Sequence, residues 1–305
     1  EVADRMVFRG CPADDTIRQG QEIRTGRHSG RGRGLTINGD QFRAMLDLGR
    51  DGDGRTILPV AHGDAERIFG GQMLAQLVAG VEPERTVKSL HVAFPREGRP
   101  HDPLYLDLEN THDGRTLGVR RAVVYQDTQH VGERRVVATG TVLVDRPDDG
   151  YDYQFSTIGS VDPLTANVID FPVVPGEARL ISAAGLDEAN AVPAELAFWM
   201  RCADFTDTSL ARPVLAYVSD WPLIGTLLKA VPGTSQLDAH VRLQTGVISH
   251  SIWFHQPFDV SAWLRVEIRG ERLAGGRGFG TGAVYTQGGS LVASFAQESV
   301  IRPFA

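Results

Sequence analysis

The stretch Leu264-Arg-Val-Glu-Ile-Arg269, followed by Gly275-Gly-Arg-Gly-Phe-Gly-Thr-Gly-Ala-Val-Tyr285, decides the fold because an earlier part of the chain repeats it. The earlier part reads Leu104-Tyr-Leu-Asp-Leu-Glu109 and then Asp113-Gly-Arg-Thr-Leu-Gly-Val-Arg-Arg-Ala-Val-Val-Tyr125. Both parts alternate apolar and polar residues, as half-buried strands do. Such repetition predicts a duplicated domain. The residue numbers differ by 160 in each of four pairs: Phe94 and Phe254, Leu104 and Leu264, Gly118 and Gly278, Tyr125 and Tyr285.

Each copy has further strand-like runs and a helix candidate upstream of them. An apolar stripe at helical spacing begins at Phe69 in the first copy, and another begins at Val214 in the second, where Pro222 interrupts it. One long helix followed by three or four antiparallel strands predicts an α+β fold in which each sheet wraps round a buried helix. The further strand runs are 90–94 and 135–144 in the first copy, and 251–254 and 290–300 in the second.

Glycines mark places where something packs closely. Gly70 and Gly71 lie at the start of the first helix, where we expect a sheet to approach. Gly278 belongs to a run of glycines at every second position from 276 to 282, which leaves one strand face bare. Either the central helix or a ligand chain is expected to fill that face.

Composition limits the function classes. The chain has 305 residues and a formal net charge of −7, which argues against nucleic acid as the main partner. No apolar run approaches the ~18–20 residues of a membrane span, and the first residues lack the pattern of a signal peptide. We therefore expect a cytoplasmic protein. Cys11 and Cys202 are too few for a disulfide framework or a four-cysteine metal site.

Several polar residues are candidates for chemistry, each with an alternative structural role. Asp220 lies among apolar residues, so it is either a functional buried carboxylate or a cap for a helix restarting at Pro222. Gln297 either faces inward to bind a water or carbonyl, or is merely exposed. Arg120 and Arg121 face opposite sides of a strand, and either one reaches a phosphate or both pair with carboxylates. His250 and His255 are five apart on a strand, which argues against shared metal ligation.

Four segments resemble the bacterial acyl-CoA thioesterase II family. They are Ile68-Phe-Gly-Gly-Gln-Met-Leu-Ala-Gln76, the strand Leu104–Tyr125 with its Asp113-Gly-Arg and Arg120-Arg121, Ser249-His-Ser-Ile-Trp-Phe-His255 and Val292-Ala-Ser-Phe-Ala-Gln-Glu-Ser-Val-Ile-Arg302. The resemblance covers roughly residues 36–303 and implies a double hotdog fold, with each sheet curled round a long central helix. The expected parts are an arm at 1–35, disordered or loosely docked, an N-terminal hotdog at 36–147, a linker at 148–193 and a C-terminal hotdog at 194–305.

The resemblance also implies a site in the second hotdog, where an aspartate, a threonine or serine, and a glutamine hold and activate a water. Asp220 and Gln297 match two of these positions, whereas the third is Val247, which cannot hydrogen-bond a water. Thr245 and Ser249 each lie two residues from Val247, so all three should face one side of a strand. We hypothesise that one of the two hydroxyls substitutes for the missing one.

The implied activity is hydrolysis of fatty acyl-CoA to a free fatty acid and CoA, with acyl-CoA as partner, no metal or other cofactor, and a possible homo-oligomer. Two alternatives stay open. One is a non-catalytic acyl-CoA-binding protein, which Val247 favours, and the other is an enzyme of the enoyl-CoA hydratase kind. The expected substrate-binding residues are Gly70, Gly71, Gln72, Arg120, Arg121, Val247 and Gly278.

Overall fold

A computed structural model describes residues 37–61, 66–130, 132–146, 149–159, 161–189 and 191–304. The predicted arm at 1–35 lies outside this range. The helices are α1 Gly39–Leu46, α2 Gly70–Ala79, α3 Ala211–Asp220 and α4 Pro222–Leu228. The strands are β1 Gly49–Arg50, β2 Thr56–Leu58, β3 Thr86–Ala93, β4 Leu104–Asp113, β5 Leu117–Asp127, β6 Arg134–Asp145, β7 Asn167–Ile169, β8 Glu177–Leu180, β9 Glu195–Arg201, β10 Leu243–Phe254, β11 Leu264–Ala274, β12 Arg277–Thr286 and β13 Leu291–Pro303.

The described strands form one 13-stranded sheet whose two halves have the same internal order. The full order is β1-β2-β4-β5-β6-β3-β10-β13-β12-β11-β9-β8-β7. Read outward from the centre, β3-β6-β5-β4 mirrors β10-β13-β12-β11. The two halves join through the antiparallel pair β3 and β10. This arrangement confirms the strands that the sequence repeat predicts.

Irregularities in strand pairing also repeat. The register shifts between Val87 and Ser89 on β3, and between Val247 and Ser249 on β10, 160 residues later. It shifts again between Asn110 and His112 on β4 and between Gly270 and Arg272 on β11, with the same offset. Bulges twist and re-aim a strand, so a bulge kept at one offset indicates that both halves share one backbone design.

The helices are shorter than the sequence predicts. α2 has ten residues, and the second helix is divided into α3 and α4 at Trp221 and Pro222. Proline lacks the N–H that would continue the ladder of α3, yet it suits the first turn of α4. One long helix in each unit is therefore not confirmed: the first half has the single helix α2, and in the second half the helix is divided. The start of α2 packs against α3, because a Cβ atom at Gly71 would overlap the carbonyl oxygen of Tyr217. A helix, not a sheet, makes the close approach.

The bare face of β12 lies beneath α4. A Cβ atom at Gly278 would lie 2.7 Å from Cδ1 of Leu227, and one at Gly280 would overlap Leu223. Of the two occupants that the sequence left open, the helix fills this space. The predicted substrate contact of Gly278 is thus replaced by packing between α4 and the sheet.

We expect Gly280→Ala to lower the free energy of unfolding by about 1–3 kcal/mol, because overpacking forces neighbours to shift. The added Cβ would meet Leu223 and lie 2.7 Å from the backbone oxygen of Arg269, which cannot move alone. Gly246→Ala is the matched control, since that glycine is also in a strand and a Cβ there meets nothing within 4 Å. Urea unfolding of both variants measures the difference, and equal stabilities would contradict this packing.

The stretch 148–193, predicted as an irregular linker, contains β7 and β8, which extend the sheet beyond β9. Arg265 on β11 donates a hydrogen bond of 2.7 Å to the carbonyl oxygen of Gly159, so the stretch is also tied to the second half. No helix in the described part of the chain is long and apolar enough to cross a membrane.

Candidate functional site

Asp220 ends α3, and its carboxylate is buried against the start of α2. Its Oδ2 atom accepts a hydrogen bond of 3.0 Å from the backbone N–H of Gly71. Its Oδ1 atom is buried and has no hydrogen-bond partner within the residues that the structure describes. Folded proteins rarely leave a buried polar atom without a partner. This buried oxygen is therefore a candidate acceptor for a ligand or a reacting group.

Burial raises the pKa of Asp220 to about 7, and the hydrogen bond from Gly71 only partly offsets this effect. Desolvation disfavours the ionised form of a carboxyl, so its proton is lost at higher pH than in water. A group that titrates near neutrality is suited to accept a proton during a reaction. No side-chain cap precedes α4, so Asp220 does not act as the helix cap that the sequence allowed. The alternative of a functional buried carboxylate is therefore favoured.

His250 connects Gln297 to the helix that carries Asp220. The Nδ1 atom of His250 lies 2.9 Å from Oε1 of Gln297, and its Nε2 atom lies 3.0 Å from Oγ of Ser219. Gln297 also donates from Nε2 to Oγ of Ser299 at 3.1 Å. Ser219, His250, Gln297 and Ser299 are all buried. Gln297 is thus on the inward face of β13, and a hydrogen-bonded chain links it to the last turn of α3.

The imidazole of His250 is neutral at physiological pH. Burial lowers its pKa to about 4, despite the hydrogen bond with Gln297. A neutral ring has one N–H donor and one acceptor nitrogen. With Oε1 of Gln297 as its partner, Nδ1–H of His250 donates and Nε2 is left as an acceptor. The Ser219 hydroxyl, within reach of Nε2 and of the carbonyl oxygen of Ala216 at 3.1 Å, donates its one proton to one of the two. Each ring nitrogen therefore has a polar group within hydrogen-bonding distance, as a buried polar group requires.

The polar pair His250 and Gln297 has an apolar counterpart in the first half. His250 lies opposite Gln297 across β10 and β13, whereas Leu90 lies opposite Val142 across β3 and β6. All four side chains are buried. Because the same backbone position is filled by leucine and valine in one half, the fold itself does not require polar groups there. Their presence in the second half points to a functional site.

The bulge in β10 overturns the proposed role of Ser249. Val247 pairs with the buried Ser299, but after the register shift Ser249 pairs with the exposed Glu298, and His250 faces inward instead. One inserted residue moves every following side chain to the other face. Ser249 therefore does not share a face with Val247, and the prediction that it substitutes for the missing hydroxyl is wrong. Strict alternation along the sequence could not reveal this.

Thr245 and Val247 keep the inward direction, but their surroundings differ from the expected water site. Val247 packs against a small apolar cluster formed by Ile224, Leu227, Leu228 and Ile301. The hydroxyl of Thr245 is buried and lies 3.4 Å from each ring nitrogen of His240. Neither residue has a hydrogen bond to Asp220 or Gln297. Substitution by Thr245 remains a prediction that the observed contacts do not support.

Of the expected substrate-binding residues, Gly70 and Gly71 are beside Asp220. A Cβ atom at Gly70 would lie 2.9 Å from Oδ2 of Asp220. Gln72 is buried, and its amide bonds the backbone of the segment leading to α2. It accepts from the N–H of Ala61 at 3.1 Å and donates to the carbonyl of Pro59 at 2.9 Å. The Gln72 amide therefore fixes the preceding segment, and these contacts do not support a role in substrate binding.

The two arginines form ion pairs. Arg120 is buried and binds Glu82 through its guanidinium, and Arg121 pairs with Glu109 at 2.7 Å. Glu82 follows the C-terminal end of α2, whose last residue, Ala79, lies about 12 Å along the helix from Gly71 at ~1.5 Å per residue. Of the two alternatives left open, pairing with carboxylates is therefore observed, and the predicted phosphate contact of Arg120 is not supported.

Other features do not form a second centre. A surface depression of about 540 Å³ adjoins Glu82 and Leu106 and so lies at the far end of α2 from Asp220. Burial raises the pKa of the Cys202 thiol to about 12, which disfavours a thiolate nucleophile. No group of three or more His, Cys, Asp or Glu side chains among the described residues is arranged to hold a metal ion.

Comparison with known proteins identifies similar chains. Residues 58–144 match the acyl-CoA thioesterase N-terminal domain, and residues 160–301 match the acyl-CoA thioesterase C-terminal domain. Acyl-coenzyme A thioesterase 8 from Homo sapiens is 29% identical over 265 residues, covering 78% of this chain and 81% of that protein.

Solved structures give the same picture. An acyl-CoA thioesterase II from Mycobacterium marinum is 26% identical with a TM-score of 0.66, and the match covers 87% of this chain and 98% of that one. A protein with a hot dog fold from Alicyclobacillus acidocaldarius has a TM-score of 0.65 at 18% identity, covering 87% of this chain and 98% of that one. The second similarity concerns the fold alone.

Proposed function

This chain belongs to the acyl-CoA thioesterase II family, and from that premise we propose that it hydrolyses fatty acyl-CoA to a free fatty acid and CoA. The observation that carries the proposal is the carboxylate of Asp220. One oxygen is held by the N–H of Gly71, and the other is buried without a partner among the described residues. A buried carboxylate in that state is suited to take a proton from water.

In the proposed mechanism, the Asp220 carboxylate accepts a proton from a water molecule whose oxygen attacks the thioester carbonyl carbon. The carbon–sulfur bond then breaks, the CoA thiolate leaves and takes up a proton, and the acid is released. Backbone N–H groups in the first turn of α2 other than that of Gly71, which is bound to Asp220, are the candidate donors to the developing oxyanion, since a helix N-terminus favours negative charge. Gln297 binds the water or the carbonyl. No covalent enzyme intermediate is needed.

The same premise extends to the architecture. We propose that the two matching halves of the sheet are tandem hotdog domains, 36–147 and 194–305, joined by the segment 148–193. The shared strand order and the repeated bulges support this division. A cytoplasmic location and self-association remain predictions from the sequence.

The test is release of CoA thiol from acyl-CoAs of graded chain length, followed with a thiol-reactive dye. We expect turnover with at least one chain length and equal amounts of free acid and CoA. Absence of thiol release across the whole series would refute the proposed activity.

We expect kcat/KM to rise about tenfold per pH unit below pH 7 and to level off above it. The reason is that only the ionised form of Asp220 accepts a proton, and burial raises its pKa to about 7. The neighbouring His250 stays neutral across this range because its pKa is lowered to about 4. Initial rates between pH 5 and 9 measure the profile. A profile flat from pH 5.5 to 8 would exclude Asp220 as the base.

A second candidate function is acyl-CoA binding without hydrolysis. Val247 favours it, because this side chain packs in an apolar cluster where the family places a hydroxyl. Saturable binding of acyl-CoA without thiol release would decide for this function.

A further inference from the structure

Two inward positions of the second half contain groups that the fold does not need. His250 and Gln297 lie opposite each other on β10 and β13, where the first half has Leu90 and Val142. Burying an imidazole and an amide requires that each lost bond to water be replaced. The first half shows that an apolar pair is compatible with the same strand pairing.

The hydrogen bond between the pair fixes one orientation of the amide. In the tautomer with the proton on Nδ1, His250 can donate to Oε1 of Gln297 but not to its Nε2 group, which is itself a donor, so this tautomer holds the amide in one orientation. On the other side, Nε2 of Gln297 donates to Ser299. One lone pair of Oε1 and one N–H of Nε2 are then left for other partners. Gln297 thus presents a defined acceptor and a defined donor.

Val247, at the third position of the site, cannot orient a group by hydrogen bonding. Val247 has no polar atom, and the bulge turns Ser249 away from the inner face. The same bulge turns His250 inward. Its Nε2 atom also lies 3.0 Å from Oγ of Ser219, the neighbour of Asp220 in the last turn of α3. One rigid ring therefore spans the distance between the strand that carries Gln297 and the helix that carries Asp220.

We infer that His250 is a positioning residue for hydrolysis, which orients the amide of Gln297 and compensates for the missing hydroxyl at Val247. The inference rests on the proposed function and deepens it. His250 itself does not exchange a proton in this role. Its contribution is to hold Gln297 in the orientation that the reaction needs.

Three single variants distinguish the contributions of the hydrogen bonds at the two ring nitrogens of His250. In His250→Asn the amide nitrogen takes the place of Nδ1 and keeps the bond to Gln297, while the bond to Ser219 is lost. In His250→Gln the polar atoms take the place of Nε2, and the bond to Gln297 is lost. His250→Leu removes both bonds and copies Leu90. We expect kcat of the Asn variant within about threefold of wild type, and kcat of the other two lower by about 10- to 100-fold, with KM changed less than about twofold.

A double-mutant cycle tests whether His250 acts through Gln297. In a Gln297→Ala background, His250→Leu should change kcat by less than about twofold, because its target is already absent. An equal loss in the Asn and Leu variants would overturn the inference, as would a further large loss in that background. The double variant His250→Leu with Gln297→Val recreates the apolar pair of the first half, so it should fold cooperatively in urea and be inactive.

The outcomes also separate this inference from the proposed function. If the wild type releases no CoA from any acyl-CoA, the proposed function fails. If the wild type is active and His250→Leu keeps its kcat, only the positioning role fails.

Discussion

We expect Asp220→Asn to lower kcat about 10²- to 10⁴-fold, the range typical of losing a general base. Asparagine keeps an oxygen that can accept from the N–H of Gly71, so the contact between α3 and α2 is retained. It cannot take a proton from water at any working pH. The measurement is CoA release by wild type and variant at pH 8 with one good substrate. Asp162→Asn, at an exposed cap of a 3₁₀ turn, is the matched control and should keep wild-type kcat.

The same variant should be more stable than wild type at high pH. The pKa of Asp220 is raised in the folded state to about 7, above the ordinary value of 3.8. The folded protein therefore binds the proton more tightly than the unfolded chain, and the wild type loses stability as pH rises from about 4 to about 7. The loss is on the order of 4 kcal/mol at ~1.4 kcal/mol per pKa unit. Asparagine has no such titration.

Urea unfolding at pH 4.5 and pH 8 tests whether the variant is more stable than the wild type at high pH. The variant should match the wild type at the lower pH and exceed it at the higher. An inactive variant that is less stable at pH 8 would indicate that the lost activity reflects disrupted folding, which would remove the case for Asp220 as base.

The sheet could be predicted from the sequence because its evidence is periodic. Alternation defines strands, and an offset of 160 residues links the two copies, so Leu104 and Leu264 could be matched without coordinates. The helices were harder to predict from the sequence. Apolar spacing across Val214 and Leu227 is continuous enough to suggest one helix, and the geometry of Pro222 decides where it divides.

Only part of the site could be predicted from the sequence. Asp220 and Gln297 stand out as polar residues in apolar segments, and the family resemblance assigns them. His250 does not stand out, because the direction of its side chain depends on the bulge between Val247 and Ser249. A bulge adds one residue without changing composition or hydropathy, so alternation assigns Ser249 to the wrong face. Repetition offered a signal, since Leu90 is the counterpart of His250 at the same offset.

The two adjacent glycines at the start of α2 should respond differently to the same substitution. We expect Gly71→Ala to lower the free energy of unfolding by about 3 kcal/mol or more, because the new Cβ would overlap the carbonyl oxygen of Tyr217 and the ring of Phe69. A backbone carbonyl moves only if α3 moves. Urea unfolding measures the loss, and Gly246→Ala controls for the effect of alanine itself.

Gly70→Ala should instead act on the reaction. Its Cβ would lie 2.9 Å from Oδ2 and 3.1 Å from Oδ1 of Asp220, so the carboxylate must turn away. A displacement of that size at a reacting group lowers kcat by about tenfold or more, while a side-chain shift should change stability by less than about 1.5 kcal/mol. If both alanine variants lost the same stability and the same activity, Asp220 would be only part of the helix packing. A split, with Gly71 affecting folding and Gly70 affecting kcat, places the reactive carboxylate at the N-terminus of α2.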